Sequence, residues 1–380
     1  MKFLLIYVPN LRFPYKGDWH KRKLNEICLF FKGNGLSKSD LSNEGFSCIL
    51  YGELYTTYKN EVISDIVSKT TTTLSNPFLS KNNDLIIPGS GEDPIDIAVA
   101  RAIYQNDIIL GGDLNVLRPK SNVSAAFLSY QLNGVRRYDI AKKAQGKSIV
   151  HLHNSDLKEV CVSIPTYDEQ LHIVKLLTKI DEMIETQIKI INDYNSLKMG
   201  IYNWMFKENY ADYKIKQLAY IVKGDQINND QLLSNGSYYM MNGGISPSGY
   251  LNSYNVSENT ISVSEGGNSC GYVQFNSRPF WSGGHCYTIQ NVNSALIENK
   301  YLYHYLKHKE KEIMNLRIGT GLPNIQKKDL ENFTILAPSL SIQRKNLALF
   351  EMLDEKIRVL NEELASLEKQ KKYLLCNLFI

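Results

Sequence analysis

The sequence predicts a mixed α/β (α+β) protein in which two globular domains are separated by two long helices. Three observations support this prediction. A segment of 51 residues recurs 173 residues further along, each copy carries an apolar stripe of helical spacing, and short β-type runs precede both copies. Because the copies are alike, we expect their helices to pair within the chain as an antiparallel coiled coil with pseudo-twofold symmetry. The predicted order is an N-terminal segment (1–16), domain 1 (17–164), helix 1 (165–209), domain 2 (210–337) and helix 2 (338–380).

The composition is that of a globular chain. Of its 380 residues, 43% are hydrophobic and 22% charged, which excludes disorder, and 24 Gly with 11 Pro exclude a collagen-like repeat. The 43 basic and 39 acidic residues nearly balance, so the net charge of +4 does not by itself indicate a nucleic-acid binder. The apolar start of the chain ends at Pro9, too early for a membrane span, and it lacks a signal-peptide cleavage site.

The cysteines and histidines indicate neither disulfides nor a metal site. Six cysteines stand far apart without a C-x-x-C pair, a pattern typical of reduced thiols in a cytoplasm. His151 and His153 offer two possible metal ligands, as do His285 and Cys286, but no neighbouring residue completes a tetrahedral set. We therefore expect a cytoplasmic protein without a bound metal.

The repeat rests on ten identities in 51 gap-free positions, where chance would give about three. The identical residues of the first copy are Asp156, Leu157, Pro165, Gln170, Leu176, Asp181, Glu182, Ile184, Lys198 and Phe206. This number of matches indicates an internal duplication of one structural unit.

The second part of each copy is predicted to be a helix of about 40 residues, or about 60 Å. The apolar stripe of the first copy is Leu177, Ile180, Ile184, Ile191, Tyr194, Ile201 and Met205, and that of the second is Phe350, Leu353, Ile357, Leu360, Leu364, Leu367, Leu374 and Leu378. Lys198 and Lys371 interrupt the two stripes at the same repeat position. A polar residue in the seam could fix the register, but we favour lysines at the edge of the contact that extend into water.

The segments before the helices are predicted to be globular. Short β-type runs punctuated by glycines and polar turns occur at 84–88, 108–112 and 114–117 in the first, and at 260–264 and 287–289 in the second. The openings of the two segments correspond loosely, whereas their central parts hardly match. This divergence suggests that the two domains recognise different things.

Enzyme motifs are incomplete throughout the chain. Gly146-Lys147-Ser148 resembles the end of a phosphate-binding loop, but Ala141 stands where that loop needs a glycine. The turn at 76–78 lacks the second proline of the amino-methyltransferase motif, and 298–300 lacks the upstream Pro-Asp pair of a nuclease metal site. We expect no catalytic residues and no bound cofactor.

The alternation of globular domains and long helices resembles the specificity (S, HsdS) subunit of Type I restriction-modification systems over nearly the whole chain. The residues that carry the resemblance are Gly17-Asp18-Trp19 with Leu24, 51–55, 88–91, 111–113, Ile164-Pro165 through Gln170, 242–245, 265–267, 271–273, 279–281 and Ala337-Pro338 through Gln343. The second junction departs from the first, since Ser341-Ile342 replaces Asp168-Glu169. The motifs of domain 2 resemble a different target-recognition subclass of the same family.

The resemblance implies a non-catalytic subunit that reads double-stranded DNA. Each domain would read one half of a bipartite target, and the paired helices would set the distance between the halves. Two modification (methyltransferase) subunits carrying S-adenosylmethionine would dock on the helices and methylate adenine, and restriction subunits that use ATP would join the full complex. The alternatives are a protein-interaction module in which a coiled coil links two binding domains, and an enzyme with an unrecognised site.

Basic and amide side chains near glycines are the candidates for DNA contacts, because base edges and phosphates are read by such groups. The basic segments 136–147 and 317–328 occupy the same place in the repeat, although a solvated helix end is the alternative. Tyrosines 301, 303 and 305 are interpreted as packing residues. The candidate DNA-binding residues are Lys32, Tyr51, Glu53, Tyr55, Ser90, Arg136, Arg137, Lys142, Lys143, Lys147, Ser148 and His151 in domain 1, and Lys223, Asn242, Asn268, Arg317, Thr320, Asn324 and Lys327 in domain 2.

Overall fold

The computed structural model describes residues 9–15, 17–206, 210–319 and 321–380. The chain divides into two compact units. Unit 1 is Met1–Ile188 with Glu362–Ile380, and unit 2 is Lys189–Asn361. The apolar run before Pro9 and the candidate Thr320 lie outside the described residues.

Unit 1 contains twelve short strands among its described residues. They are β1 (His20–Lys23), β2 (Cys28–Lys32), β3 (Phe46–Ile49), β4 (Val62–Ile63), β5 (Ser68–Thr70), β6 (Asp84–Pro88), β7 (Ser90–Gly91), β8 (Arg101–Ile103), β9 (Ile109–Leu110), β10 (Leu114–Pro119), β11 (Val150–His151) and β12 (Cys161–Ile164). The helices are α1 (Leu24–Ile27), α2 (Glu53–Thr56), α3 (Pro94–Ile97), α4 (Ala125–Asn133), α5 (Arg137–Ala141), α6 (Asn154–Lys158) and the first part of α7 (Tyr167–Met205).

The sheets of unit 1 surround a buried helix. The largest sheet has the order β2-β10-β6-β8-β4, a second has the order β5-β3-β9, and β1-β12 and β11-β7 form two-stranded sheets. Every residue of α4 from Ala125 to Leu132 is buried, as expected for a helix that is apolar on nearly all sides. The Ser124 hydroxyl caps this helix by accepting a hydrogen bond from the Phe127 backbone N–H at 3.3 Å.

Unit 2 repeats this arrangement with different residues. Its strands are β13 (Ala211–Lys214), β14 (Tyr220–Lys223), β15 (Tyr238–Met241), β16 (Gly249–Leu251), β17 (Thr260–Ser264), β18 (Val273–Asn276), β19 (Trp281–Ser282), β20 (Cys286–Gln290) and β21 (Thr334–Ala337). Its helices are the last part of α7, α8 (Ile215–Leu218), α9 (Asn299–His308), α10 (Glu310–Met314), α11 (Lys327–Glu331) and the first part of α12 (Leu340–Asn377), which ends in unit 1.

The two units share one topology. The order β14-β20-β17-β18 corresponds to β2-β10-β6-β8, β16-β15-β19 corresponds to β5-β3-β9, and β13-β21 corresponds to β1-β12. Helix α9 takes the place of α4, with Tyr301 and Tyr305 buried in the core of unit 2. This burial confirms that these two tyrosines are packing residues.

The long helices pack on each other in each unit. In unit 1, Asp181 of α7 contacts Lys371 of α12, and Gln187 of α7 contacts Glu363 of α12. The contacts advance along α7 while they go back along α12, so the two helices run in opposite directions. In unit 2 the Tyr202 and Phe350 rings meet edge to face at 4.6 Å between centroids. All residues of the two predicted stripes are buried or half-buried. The predicted antiparallel pairing, and with it the fold class, is confirmed.

The lysines within the two stripes form ion pairs between the helices. Lys198 of α7 contacts Asp354 of α12 in unit 2, and Lys371 of α12 contacts Asp181 of α7 at 2.7 Å in unit 1. The same repeat positions thus meet reciprocally, as in a twofold interface. The Lys371 side chain is only 17% exposed, so the expectation that these lysines extend into water is wrong. A carboxylate on the facing helix satisfies each ammonium inside the contact.

A glutamine at each helix start explains why this residue is repeated. The Gln170 side chain donates to the Pro165 carbonyl and accepts from the Ser124 N–H, with N···O distances of 3.1 and 2.9 Å. Gln343 makes the same two kinds of bond, to Pro338 and from Glu298, at 2.8 and 2.8 Å. Both side chains are fully buried and join the start of a long helix to the start of the buried helix beside it.

Among the described residues, none of the helices combines the length and apolar character that crossing a bilayer would require.

Candidate nucleic-acid interface

Two hairpins occupy equivalent places in the two units. In hairpin 1 (145–151), the Gln145 and His151 backbones exchange hydrogen bonds of 2.9 and 2.7 Å. In hairpin 2 (318–324), Ile318 and Asn324 do the same at 2.8 and 3.0 Å. Hairpin 1 begins at the end of the first basic segment (136–147), and hairpin 2 lies within the second (317–328).

The tips of both hairpins are exposed. A glycine with positive φ follows the first strand of each, with 134° at Gly146 and 101° at Gly319, a conformation that residues with a Cβ rarely adopt. Residues 147–149 are exposed, and Leu322, the repeat equivalent of Ile149, is 86% exposed. Each unit therefore presents a turn with an apolar side chain in solvent.

Both hairpins are anchored to the end of a central strand. In unit 1, β11 pairs with β7, and the Leu152 N–H donates to the Gly89 carbonyl at 2.9 Å. In unit 2, Asn324 bridges to Gly266, and the Ile325 N–H donates to the Glu265 carbonyl, also at 2.9 Å. Glu265 in unit 2 therefore stands where unit 1 has Gly89.

Beside hairpin 2, unit 2 has a cavity of about 540 Å³. Its walls are Lys223, Asn242, Gly243, Gly244, Ser248, Glu265, Gly266, Gly267, His285, Leu322, Pro323 and Asn324. The structure thus brings together three of the candidate residues, Lys223, Asn242 and Asn324. It adds two ionisable residues that were not among the candidates, Glu265 and His285.

Glu265 is the central ionisable group of this cavity. Its Oε1 accepts hydrogen bonds from Lys223 Nζ at 2.6 Å and from the Tyr287 hydroxyl at 3.1 Å. Burial and the Glu265 charge raise the pKa of Tyr287, so this hydroxyl stays protonated and donates. In the sequence, Glu265 stood out as the first residue of the resemblance segment 265–267, directly after a β-type run and before Gly266-Gly267, but it was not among the candidate DNA-binding residues.

A sequence model of the Type I restriction modification DNA specificity domain matches residues 16–193 and 207–369. The chain belongs to this family. The membership predicted from the sequence is therefore confirmed. Specificity subunits of Type I systems are non-catalytic, which confirms the prediction that the chain is not an enzyme.

Individual relatives agree with this membership. A Mycoplasma pneumoniae protein assigned as a type I specificity subunit is 34% identical over 127 residues, which are 33% of this chain and 34% of that protein. The corresponding Mycoplasma genitalium protein is 32% identical over 127 residues, which are 33% of each. These two matches thus span about a third of the relatives' own length.

The crystal structure of the S subunit of a Type I restriction-modification system from M. genitalium has the same fold. It superposes with a TM-score of 0.71 over 98% of this chain and 99% of that one, at 20% sequence identity. A chain from a structural study of complex assembly and conformational transition in the type I R-M system gives a TM-score of 0.58 at 16% identity, over 95% of this chain and 98% of that one.

In unit 1 of this specificity protein, several candidate residues have partners within the fold. The Glu53 carboxylate accepts from the Leu50 N–H at 2.7 Å and from the Ser68 hydroxyl, which fixes the turn before α2. Ser90 is buried, and its hydroxyl donates to Asp113 at 3.2 Å. Tyr51 and Tyr55 are half-buried against the apolar core.

The paired arginines are also engaged inside unit 1. Arg136 donates to the Ile380 carbonyl at 2.9 Å, and Arg137 donates twice to the Ile95 carbonyl at 3.3 and 3.1 Å. These contacts tie α5 to the end of α12 and to α3. Around hairpin 1 the exposed candidates are Lys142, Lys147, Ser148 and His151, and Lys143 is half-buried. Exposure favours Lys142 and Lys147 over the arginines as phosphate contacts.

The other candidates of unit 2 surround the cavity or lie near hairpin 2. Arg317 directly precedes the hairpin and Asn268 follows Gly267 of the cavity wall, and both are exposed. Lys327 lies 3.6 Å from Glu331, one turn away on α11. Lys32 of unit 1 and Lys223 end equivalent strands, β2 and β14. A role in DNA binding stays a prediction for every candidate.

Proposed function

We propose that this chain is the DNA-recognition subunit of a Type I restriction-modification complex and that each unit reads one half of a bipartite double-stranded target. The observation that carries the proposal is the pair of equivalent hairpins. The two units share one topology, and one hairpin projects from the same place in each unit. Their surroundings differ in chemistry, since Glu265 in unit 2 replaces Gly89 in unit 1. A shared scaffold with different local chemistry suits two readers of different half-sites.

The two kinds of DNA contact are assigned to different residues. The exposed ammonium groups of Lys142 and Lys147 lie on flexible side chains around hairpin 1 and suit phosphates, which fix position without reading sequence. The polar cavity of unit 2 suits the edge of a base, where a few fixed donors and acceptors discriminate.

Docking of two modification subunits is assigned to the long helices, which expose apolar side chains away from the buried stripes. The exposed apolar residues of α7 are Tyr167, Leu171, Met183 and Ile188 in unit 1, and Leu197, Met199 and Trp204 in unit 2. Trp204 is 71% exposed, and exposed tryptophans often dominate interface energies. In this proposal, restriction subunits join through that assembly.

We expect Trp204→Ala to weaken assembly with the modification subunits by at least about tenfold, as truncation of a dominant interface side chain does. Asn203→Ala, at the exposed neighbouring position, is the matched control. Copurification and sedimentation of the complexes would measure the effect. If both variants assembled equally well, the modification subunits would dock on another surface of the chain.

The proposal is tested by DNA binding with and without the modification subunits. The full chain, its complex with the modification subunits, and the modification subunits alone are each incubated with a pool of random duplexes, and bound DNA is separated by gel shift and sequenced. We expect the complex to enrich a two-part sequence that the modification subunits alone do not enrich. Assembly without any enriched sequence would instead favour the protein-interaction module.

A further inference from the structure

We propose that Glu265 recognises the exocyclic amino group of one base, a cytosine or an adenine, in the half-site read by unit 2. This inference rests on the proposed function and deepens it, because it assigns one side chain to one chemical group of the target.

The Glu265 carboxylate is held in one orientation through a single oxygen. Lys223 Nζ at 2.6 Å and the Tyr287 hydroxyl at 3.1 Å both donate to Oε1. The Ile325 carbonyl, also 3.1 Å from the Tyr287 hydroxyl oxygen, is the alternative acceptor for the single hydroxyl proton. The backbone of Glu265 is bonded on both sides, to His285 and Ile325, at 2.9 Å each. The side chain is therefore arranged before any ligand arrives.

Among the residues that the structure describes, the second oxygen has no hydrogen-bond partner. Oε2 of Glu265 is buried and unpaired, and the residue as a whole is only 9% exposed. The His285 Nδ1 atom lies 3.7 Å from Oε2, beyond hydrogen-bond distance. A buried charged oxygen without a partner is costly, so a site that keeps one is suited to a donor from a ligand.

Glu265 is one of the walls of the cavity, so a ligand in the cavity lies against its side chain. Gly267 has φ of 78° with open space where a side chain would project, and Gly243, with φ of 81°, lies on the same wall. The backbone there leaves room for a planar group to approach closely. A volume of about 540 Å³ is that of an ordinary ligand site.

The charge of the carboxylate selects the ligand. A carboxylate oxygen accepts hydrogen bonds only, so it repels phosphate oxygens and the acceptor edges of guanine and thymine. In the major groove, cytosine offers N4 and adenine offers N6 as donors, and a glutamate that accepts from cytosine N4 is a standard base contact. Unit 1 has Gly89 at this position, so we expect this contact in one half-site only.

The first test is methylated-site selection with the full complex of specificity and modification subunits. We expect Glu265→Gln to lose about 5- to 150-fold of the preference at one base position of the unit 2 half-site, and to leave the other half-site unchanged. Glu258→Gln, an exposed glutamate of the same unit outside the cavity, is the matched control and should keep every preference. Unchanged preferences in a folded Glu265→Gln complex would overturn the proposal.

The second test uses the unaltered complex and remains valid if Glu265→Gln does not fold. Each cytosine and adenine of the unit 2 half-site is replaced in turn by an analogue that lacks the exocyclic amino group. We expect one replacement to weaken binding to the unaltered complex by a similar factor. Where the Glu265→Gln complex folds, the same replacement should cause no further loss. If no amino group of that half-site affected binding, Glu265 would not be its reader. A complex that selected no DNA sequence at all would refute the proposed function itself.

Discussion

Lys371 is the most enclosed cation of the helix contact in unit 1. Its Nζ lies 2.7 Å from both Glu61 Oε2 and Asp181 Oδ1, and the Tyr130 hydroxyl donates to the other Asp181 oxygen at 2.6 Å. Burial alone would lower the pKa of Lys371, but the two carboxylates outweigh it and raise the pKa. Burial raises the pKa of Asp181, while the Lys371 charge opposes that shift. The three charges stabilise the fold only as a group.

We expect Lys371→Met to destabilise the chain by about 3–5 kcal/mol, because it leaves Glu61 and Asp181 buried without a counter-charge. Lys372→Met, at the exposed neighbouring position, should change the free energy of unfolding by less than about 0.5 kcal/mol. Urea unfolding of both variants measures the difference. Equal stability of the two would mean that the ion cluster contributes nothing to the helix contact.

The sequence identified the repeated residues of this contact but not their partners. Asp181 and Lys198 were visible because each recurs 173 residues later, and the structure pairs each with the other type on the facing helix. Nothing in the sequence marked Glu61 as a partner of Lys371. The two residues are 310 positions apart and meet only when unit 1 folds around α12. Because Glu61 was not recognised as a partner, the simpler interpretation placed Lys371 at the edge of the helix contact, with its ammonium group in water.

At the scale of elements, we propose that the exposed lysines in and before hairpin 1, Lys147 and Lys142, contact phosphates. We expect the double variant Lys142→Gln with Lys147→Gln to weaken binding to all sequences and to lower the salt-dependence slope by about 0.9 for each phosphate that is no longer neutralised. Lys189→Gln on α7, exposed and outside the hairpins, is a single-charge control for non-specific attraction. Binding isotherms at several salt concentrations provide the slopes. An effect limited to one base position would reassign the lysines to base reading.

The long helices are the proposed spacer element. Seven residues inserted in each helix, after Ile188 and after Asn361, keep the apolar stripe in phase and leave the partners of Lys198 and Lys371 in place. We expect the insertion, about 10 Å of helix, to lengthen the preferred spacer by about three base pairs. Insertion of four residues in α7 alone, near Ser196, is the mismatched control, because it moves Lys198 away from Asp354.

Methylated sites selected from a library of random spacers would report the preferred length. The spacer hypothesis would fail if the paired insertion assembled normally and kept the original spacer. In that case the helices would serve only as a docking platform for the modification subunits.

The strands show where sequence interpretation reaches its limit. The helices were predictable because their stripes are long and local, and repeated glutamines and prolines locate their starts. The shared topology of the units was hidden, because the strands are short and their pairing joins residues far apart, such as β2 with β10. The two basic segments were noticed through repeat position, but the hairpins themselves were not predicted. Glu265 was missed as a candidate because only folding shows that one of its oxygens lacks a partner among the described residues.

At the scale of the whole molecule, the structure is two units of one topology joined by helices that each belong to both. Phe206 at the end of α7 packs among Tyr301 and Tyr305 of unit 2, and its repeat equivalent Phe379 packs against Phe127 of unit 1. Each helix thus begins in one unit and ends in the core of the other. In the proposed function, such a chain can change the target of one unit while it keeps the joint scaffold.

Replacement of one reader tests the central claim most directly. Residues 17–164 are exchanged for the corresponding segment of a relative with a different target, the hybrid is assembled with the modification subunits, and its methylated sites are sequenced. We expect one half-site to change to that of the relative, while the other half-site and the spacer stay the same. A simultaneous change of both half-sites, or the original target in full, would contradict the assignment of one half-site to each unit.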